Sequence, residues 1–148
     1  MARGDMIVFQ DSRLTLLTGG WEAADEIWLG LVTTTTVAVD DAIPAYAAGG
    51  TTNYAAVATG GNYAAGGQLL NTYTAMTTEA AGTVTFDDTD ATAAWAKHAS
   101  NPTNADHAIV YHKTSGLAIA AIDLDGPIDM TAGDLTITWD ASGIFDIS

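Results

Sequence analysis

Two apolar runs joined by a short polar turn constrain this chain more than any other feature of it. "HAIVYH" (His107 to His112) and "LAIAAIDL" (Leu117 to Leu124) flank "KTSG" (Lys113 to Gly116). A strand with one wet face alternates apolar and polar side chains with a period of two. These runs hardly alternate, so both faces of the strands they form need cover. Lys, Thr, Ser and Gly between them suit a turn. The reading is an antiparallel hairpin lying centrally in a sheet or sandwich core, with "DGP" (Asp125 to Pro127) expected to stop its ladder.

Further strands follow from weaker signals. "EIWLGLV" (Glu26 to Val32) and "GTVTFDD" (Gly82 to Asp88) read as strands, the latter with Val84 and Phe86 on one side. Near the C-terminus Leu135, Ile137 and Trp139 alternate with Asp134, Thr136, Thr138 and Asp140. That is a half-buried strand, and "DASG" (Asp140 to Gly143) with "IFDI" after it predicts a C-terminal hairpin. Helix has two weak candidates. "QDSRLTLL" suits a short N-terminal turn, and "DDTDATAAWAKHA" offers Asp caps before an Ala-rich segment, although a strand through Thr92 to Trp95 competes with it.

Many short strands at close spacing in a chain of 148 residues predict one all-β domain over residues 1–148. The expected form is a β-sandwich or jelly-roll-like barrel with short helical turns and a Gly/Ala/Tyr-rich loop region. Residues 1–20 are set apart as a candidate N-terminal arm.

Charge narrows the classes of partner. Eighteen acidic residues face four basic ones, Arg3, Arg13, Lys97 and Lys113, for a formal net charge of −14. Phosphate binding needs clustered Lys and Arg, and here no two are neighbours, so the reading excludes nucleic acid and anionic membrane surfaces as partners. Cysteine is absent, which removes disulfides, thiolate nucleophiles and Cys-ligated metals together. No run reaches the ~18 apolar residues of a membrane span, and "MARGDMIVFQ" lacks the apolar stretch of a signal peptide, so assembly in a cytoplasm is expected.

The middle of the chain is unusual. From Ala42 to Thr78 no residue is charged, and a loose repeat runs through "AYAAGG", "NYAAVATGG" and "NYAAGG". Tyr46, Tyr54 and Tyr63 recur in it among small residues. Interface cores are depleted in charge and enriched in Tyr, so residues 42–78 are read as an interface segment and these tyrosines as protein-contact residues. The competing reading is a mobile Gly-rich loop.

A search for chemistry assigns no catalytic, metal-binding or cofactor-binding residue. His107 and His112 lie five apart on a strand and so point to opposite faces, which favours structural roles for them and for His98. "DDTD" (Asp87 to Asp90) fails the calcium-loop pattern, having Thr92 and His98 where Gly and Glu belong, and is read as a turn or cap. Asp123, Asp125 and Asp129 are likewise loop carboxylates, able to hold a cation only if a folded trimer brought them together. "RGD" at Arg3 to Asp5 is taken as chance, and Pro102 bars glycosylation of Asn101. Trp21, Trp28 and Trp95 are the aromatic candidates if the domain is a β-sandwich carbohydrate-binding module, but Trp28 and Trp139 sit in apolar strands and are read as core.

An ordered set of motifs in roughly the last half of the chain resembles a family of tailed-bacteriophage structural proteins. The set comprises "GTVTFD" (Gly82 to Asp87), the Trp-bearing Thr92 to Trp95, "AIVY" (Ala108 to Tyr111) with its Lys113 to Gly116 turn, "IAAID" (Ile119 to Asp123) and "GDLTITWDASGIF" (Gly133 to Phe145). A looser echo lies in "DEIWLGLV" and the Tyr/Gly-rich centre. The resemblance implies a non-enzymatic virion component without cofactor, of the kind that decorates or cements capsids. Such a protein sits on the capsid exterior, clamps neighbouring copies of the major capsid protein and is often a homotrimer, assembled in the host cytoplasm. A tail or neck protein is the alternative within the same resemblance.

Overall fold

The computed structural model describes residues 4–18, 20–80, 83–86, 92–139 and 144–147. The described elements begin with β1 (Met6–Val8), α1 (Gln10–Thr18) and β2 (Glu26–Val32). Its middle holds β3 (Pro44–Tyr46), β4 (Thr52–Tyr54), β5 (Gln68–Thr72), β6 (Thr77–Ala80), β7 (Thr83–Phe86) and β8 (Ala93–Trp95). The long strands β9 (Ala105–His112) and β10 (Ala118–Ile128) follow, then β11 (Leu135–Ile137) and β12 (Phe145–Ile147). Among the described residues the fold is thus mostly strand with one short helix, and no sheet closes into a barrel.

The main sheet has the order β1-β10-β9-β2-β5, all antiparallel. The predicted central hairpin is β9–β10, with β2 on its other side in register from Ile27↔His112 to Val32↔His107. Both faces are covered, as the absence of alternation requires. Ile27, Leu29, Leu31, Ala108, Val110 and Ile122 join Phe86, Trp95 and Met76 in one buried cluster. The side chains between them in sequence, including Val32, Ile109, Tyr111 and Ala121, join Phe9, Tyr46 and Tyr54 in a second.

Two expectations are corrected, and one left open between helix and strand is decided for strand. β10 runs through "DGP" to Ile128, which pairs with Ala105. Asp125 (φ 63°) and Gly126 (φ 89°) take left-handed conformations that absorb the extra residues as an irregularity, so pairing resumes beyond the proline. The C-terminal hairpin does not form: β11 pairs with β8 (Leu135↔Trp95, Ile137↔Ala93) and β12 with β7 (Phe145↔Phe86). Alternation correctly put Leu135 and Ile137 inside and Thr136 outside, but it names a buried face and says nothing of the partner strand. The "DASG" turn lies outside the described residues, as does "DDTD". Thr92 to Trp95 leads into strand and not helix, with Ala93 and Trp95 buried and Ala94 exposed.

Residues 6–18 lie against the sheet. β1 adds an edge strand to β10, and Ser12 Oγ of α1 donates to the Ala118 carbonyl at 2.6 Å. Inside α1 the Thr15 and Thr18 hydroxyls donate to the carbonyls of Asp11 and Leu14, which is how threonine is accommodated in so short a helix.

Candidate interaction surface

The uncharged segment contributes to both faces of the main sheet, Tyr46 and Tyr54 to the second cluster and Val57 and Tyr63 to the first, and its tyrosines point inward. Tyr46, Tyr54 and Tyr63 are 6%, 1% and 2% exposed, so the rings pack within this chain, which runs against their expected contact with another protein. Each holds the segment at a different place. Tyr46 stacks on Tyr111 at 4.4 Å and lies over Gly30 of β2, where any Cβ would overlap its ring. Tyr54 stacks on Phe9 at 5.8 Å and donates its hydroxyl to Asp41 Oδ2 at 2.6 Å. The Tyr63 hydroxyl accepts the Leu31 N–H at 2.8 Å, beyond the point where β5 stops pairing with β2, and so satisfies a buried donor that the sheet leaves open. Burial pushes all three phenols above their ordinary pKa, and Asp41 adds to the effect at Tyr54.

With the rings inside, small residues form the outside. Ala47, Ala48, Ala55, Ala56, Ala58, Ala64 and Ala65 are exposed along the segment, together with Thr51, Asn53, Thr59 and Asn62. Two side-chain amides fasten it, neither assigned a packing role from the sequence. The Gln68 side chain donates to Ala94 O and accepts from Ala94 N, standing in for a strand neighbour of β8. Asn101, 5% exposed, accepts from Asn62 N at 2.7 Å and donates to the carbonyls of Ala96 and Met130. Neither amide belongs to a local pattern, so only a guess at long-range pairing would have singled them out.

The histidines have structural partners. His107 Nδ1 lies 2.8 Å from the Thr34 carbonyl, which can only accept, so Nδ1 carries the proton. His112 Nδ1 takes the Ser115 hydroxyl at 2.7 Å and the Ser115 N–H at 3.3 Å. Its proton is therefore on Nε2, which stands 3.1 Å from Asp25 Oδ2, close enough for attraction though not aligned as a hydrogen bond. Trp21 stacks on the ring at 6.0 Å.

This Ser–His–Asp line went unnoticed in the sequence, and its signal is the His-x-x-Ser spacing across a hairpin turn. It nevertheless lacks an oxyanion site at the turn. The N–H of Ser115 goes to His112 Nδ1, that of Gly116 to the His112 carbonyl at 2.9 Å, and that of Leu117 to Ser115 Oγ at 3.2 Å. The arrangement locks the β9–β10 turn.

The acidic loops are locks of the same kind. Asp123 Oδ1 accepts from Asp125 N at 2.7 Å. Asp129 Oδ1 accepts both the N–H and the hydroxyl of Thr131, which holds its carboxyl below the ordinary range. Among the described residues no three His, Asp or Glu side chains converge as metal ligands would.

Of the tryptophans, Trp21 and Trp95 are buried at 9% and 2%. Trp28, expected in the core, is partly exposed, because its ring faces outward from β2 under Lys113 Nζ, 3.9 Å from the ring centroid. Its Nε1 donates to Glu26 Oε2 at 3.0 Å. Trp139 is half-buried.

Arg3 of the "RGD" tripeptide lies outside the described residues, and no helix among those described is long and apolar enough to cross a membrane. The scaffold is thus a two-faced sheet carrying an uncharged, alanine-rich outer layer. No family model, curated protein or solved structure matches the chain.

Proposed function

We propose that this chain is a non-enzymatic structural protein of a tailed-bacteriophage virion, a capsid decoration or cement protein that binds the outside of the head and clamps neighbouring copies of the major capsid protein. The observation that carries the reading is the surface of residues 42–67. It is uncharged on a chain of net charge −14, and it exposes alanine, threonine and asparagine over buried tyrosine pins. A surface of small side chains lets another backbone approach closely at low cost in side-chain entropy, and charge is what interface cores lack. Contact therefore runs through this small-residue layer, with Tyr46, Tyr54 and Tyr63 shaping it from beneath. The ordered motifs of the C-terminal half supply the virion context.

In this reading the domain is a sandwich in the loose sense. The main sheet is one layer, and the β8–β11 and β6–β7–β12 pairings pack over its first face through Phe86, Trp95 and Leu135. A homotrimer on the capsid exterior, assembled in the host cytoplasm, is the form the role calls for. Many weak clamps that bind only the assembled lattice stabilise it by mass action, and none here depends on a disulfide.

Quantitative mass spectrometry of purified virions of the encoding phage tests the proposal. A copy number approaching that of the major capsid protein is expected. A ratio smaller by orders of magnitude moves the protein to the tail or neck, and absence from the particle overturns the virion role. A carbohydrate-binding module is the less favoured reading, since Trp21 and Trp95 are buried and Lys113 covers the face of Trp28.

A further inference from the structure

Among the described residues three of the four exposed large apolar side chains lie on or beside α1: Leu14 is 61% exposed, Val39 37% and Ile43 48%, whereas Leu69 on β5 stands apart. Scattered apolar residues on a surface need no explanation, but a cluster does. Here Gln10 N donates to the Val39 carbonyl and Asp11 Oδ2 accepts the Ile43 N–H at 2.7 Å, so the loop bearing Val39 and Ile43 is tied to the helix bearing Leu14. Leu14 and Ile43 stand at the rim of a groove of about 190 Å³ floored by Trp21, Pro44, Leu117 and Ala118.

Two features of this groove oppose what folding alone favours. In α1 the serine is buried, Ser12 at 3%, while Leu14 faces out. Ile43 holds a left-handed backbone, φ 44°, where a β-branched residue is a true outlier and glycine or asparagine is the ordinary choice. The Asp11 carboxylate on its N–H and the Thr51 N–H on its carbonyl fix it there, and the strain keeps an isoleucine side chain half in water. Strain maintained at a surface position points to a task for the side chain.

The charge around the groove identifies the partner. Asp11 lines it, Asp40 and Asp41 lie on the loop that carries Val39 and Ile43, and Arg13 of α1 is the one basic residue near them in sequence, on a chain of −14, so a second copy would set acidic surface against acidic surface. We propose that the groove between α1 and Ile43 is the anchoring point on a different protein, whose face carries one projecting large apolar side chain ringed by Lys and Arg. The volume suits one such side chain, and a central anchor in a dry pocket with a complementary charged rim is how a small interface obtains affinity and register. The inference rests on the virion role above, in which that face belongs to the capsid lattice.

The test uses the full chain and empty heads of the encoding phage prepared without it, with binding measured by co-sedimentation at low and high salt. Ile43→Gly relieves the strain and is expected to leave the melting temperature unchanged or raised, yet weaken head binding by about 30-fold or more, the effect of a central anchor. Leu14→Ser is expected to act in the same direction, Leu69→Ser to bind like wild type, and wild-type binding to weaken as salt rises. If both groove variants bind heads like wild type, or if Leu69→Ser loses binding equally, the groove assignment is overturned while the virion role stands. Salt-independent binding overturns the basic rim. Wild type failing to bind heads at any salt overturns the decoration role itself.

Discussion

The centre of the main sheet and the uncharged segment above it are both well buried on their inner sides, yet they are held by different means. β2, β9 and β10 are held by a continuous ladder and by apolar side chains repeating every second residue, so each contact is backed by its neighbours. The segment from Ala42 to Gly67 has only the short parallel pair β3–β4 and isolated bridges, and it is held by single side chains: Tyr46 over Gly30, Tyr54 on Asp41, Tyr63 on Leu31, Asn62 on Asn101. The lesson is that regular structure spreads the loss of one contact, whereas a pinned segment concentrates it.

Leu29→Ala probes the sheet. Leu29 is fully buried in β2, and its truncation is expected to cost about 3–4 kcal/mol through lost burial and the cavity left behind. Chemical denaturation followed by both tryptophan fluorescence and far-UV circular dichroism should show one shared transition at lower denaturant, because the segment rests on the sheet. Two separated transitions would mean that the segment has stability of its own, contrary to the comparison.

Gly30→Val probes the seam. Valine suits a strand better than glycine, so the ladder alone predicts a gain. The Cβ overlaps the Tyr46 ring, however, and a net loss of about 2–3 kcal/mol is expected. Tyr46→Ala in the same chain should recover part of it, and the coupling in a double-mutant cycle is the measurement that decides. Additive losses would show that the ring is not what excludes a side chain there.

Tyr63→Phe removes one oxygen and leaves the Leu31 N–H buried without its acceptor, for an expected cost of about 1–2 kcal/mol by urea denaturation. The phenols also set an alkaline limit. Burial raises Tyr46, Tyr54, Tyr63 and Tyr111 above the ordinary value of 10, so the folded chain keeps protons that the unfolded chain releases. Their stabilising share is complete below pH 10 and declines as pH rises towards the folded values, by about 1.4 kcal/mol per pH unit for each phenol still protonated. Denaturation midpoints that stayed flat from pH 9 to above 11 would contradict the inward placement of the rings.

How much of this was legible in the sequence follows the same division. β2 and the β9–β10 hairpin were readable because their signal is local: apolar runs bounded by a turn. The partners of β11 and β12 were not, because Leu135 and Ile137 declare a buried face without declaring whether β8 or β12 lies beside them. The tyrosines were found and then given the wrong side. Their composition matches an interface, and what turns them inward is partners distant in sequence, such as Leu31 for Tyr63 and Phe9 for Tyr54. Ile43 drew no notice at all, since a strained φ leaves no mark on composition.

The smallest effect is expected where the segment is pinned only to itself. The Asn53 side chain accepts from Gly50 N at 3.1 Å and donates to Gly50 O at 3.0 Å, bracing the turn before β4, and it is exposed. Water can replace both bonds in Asn53→Ala, so global stability should fall by no more than about 0.5 kcal/mol. Local opening is another matter, since only the short β3–β4 pair backs this turn. Amide exchange of Gly50 should quicken in the variant, while Leu29, Ile109 and Val110 in the sheet keep their protection. If those sheet amides quickened in step with Gly50, the turn would be coupled to the ladder, and the two regions would be one cooperative unit down to the surface.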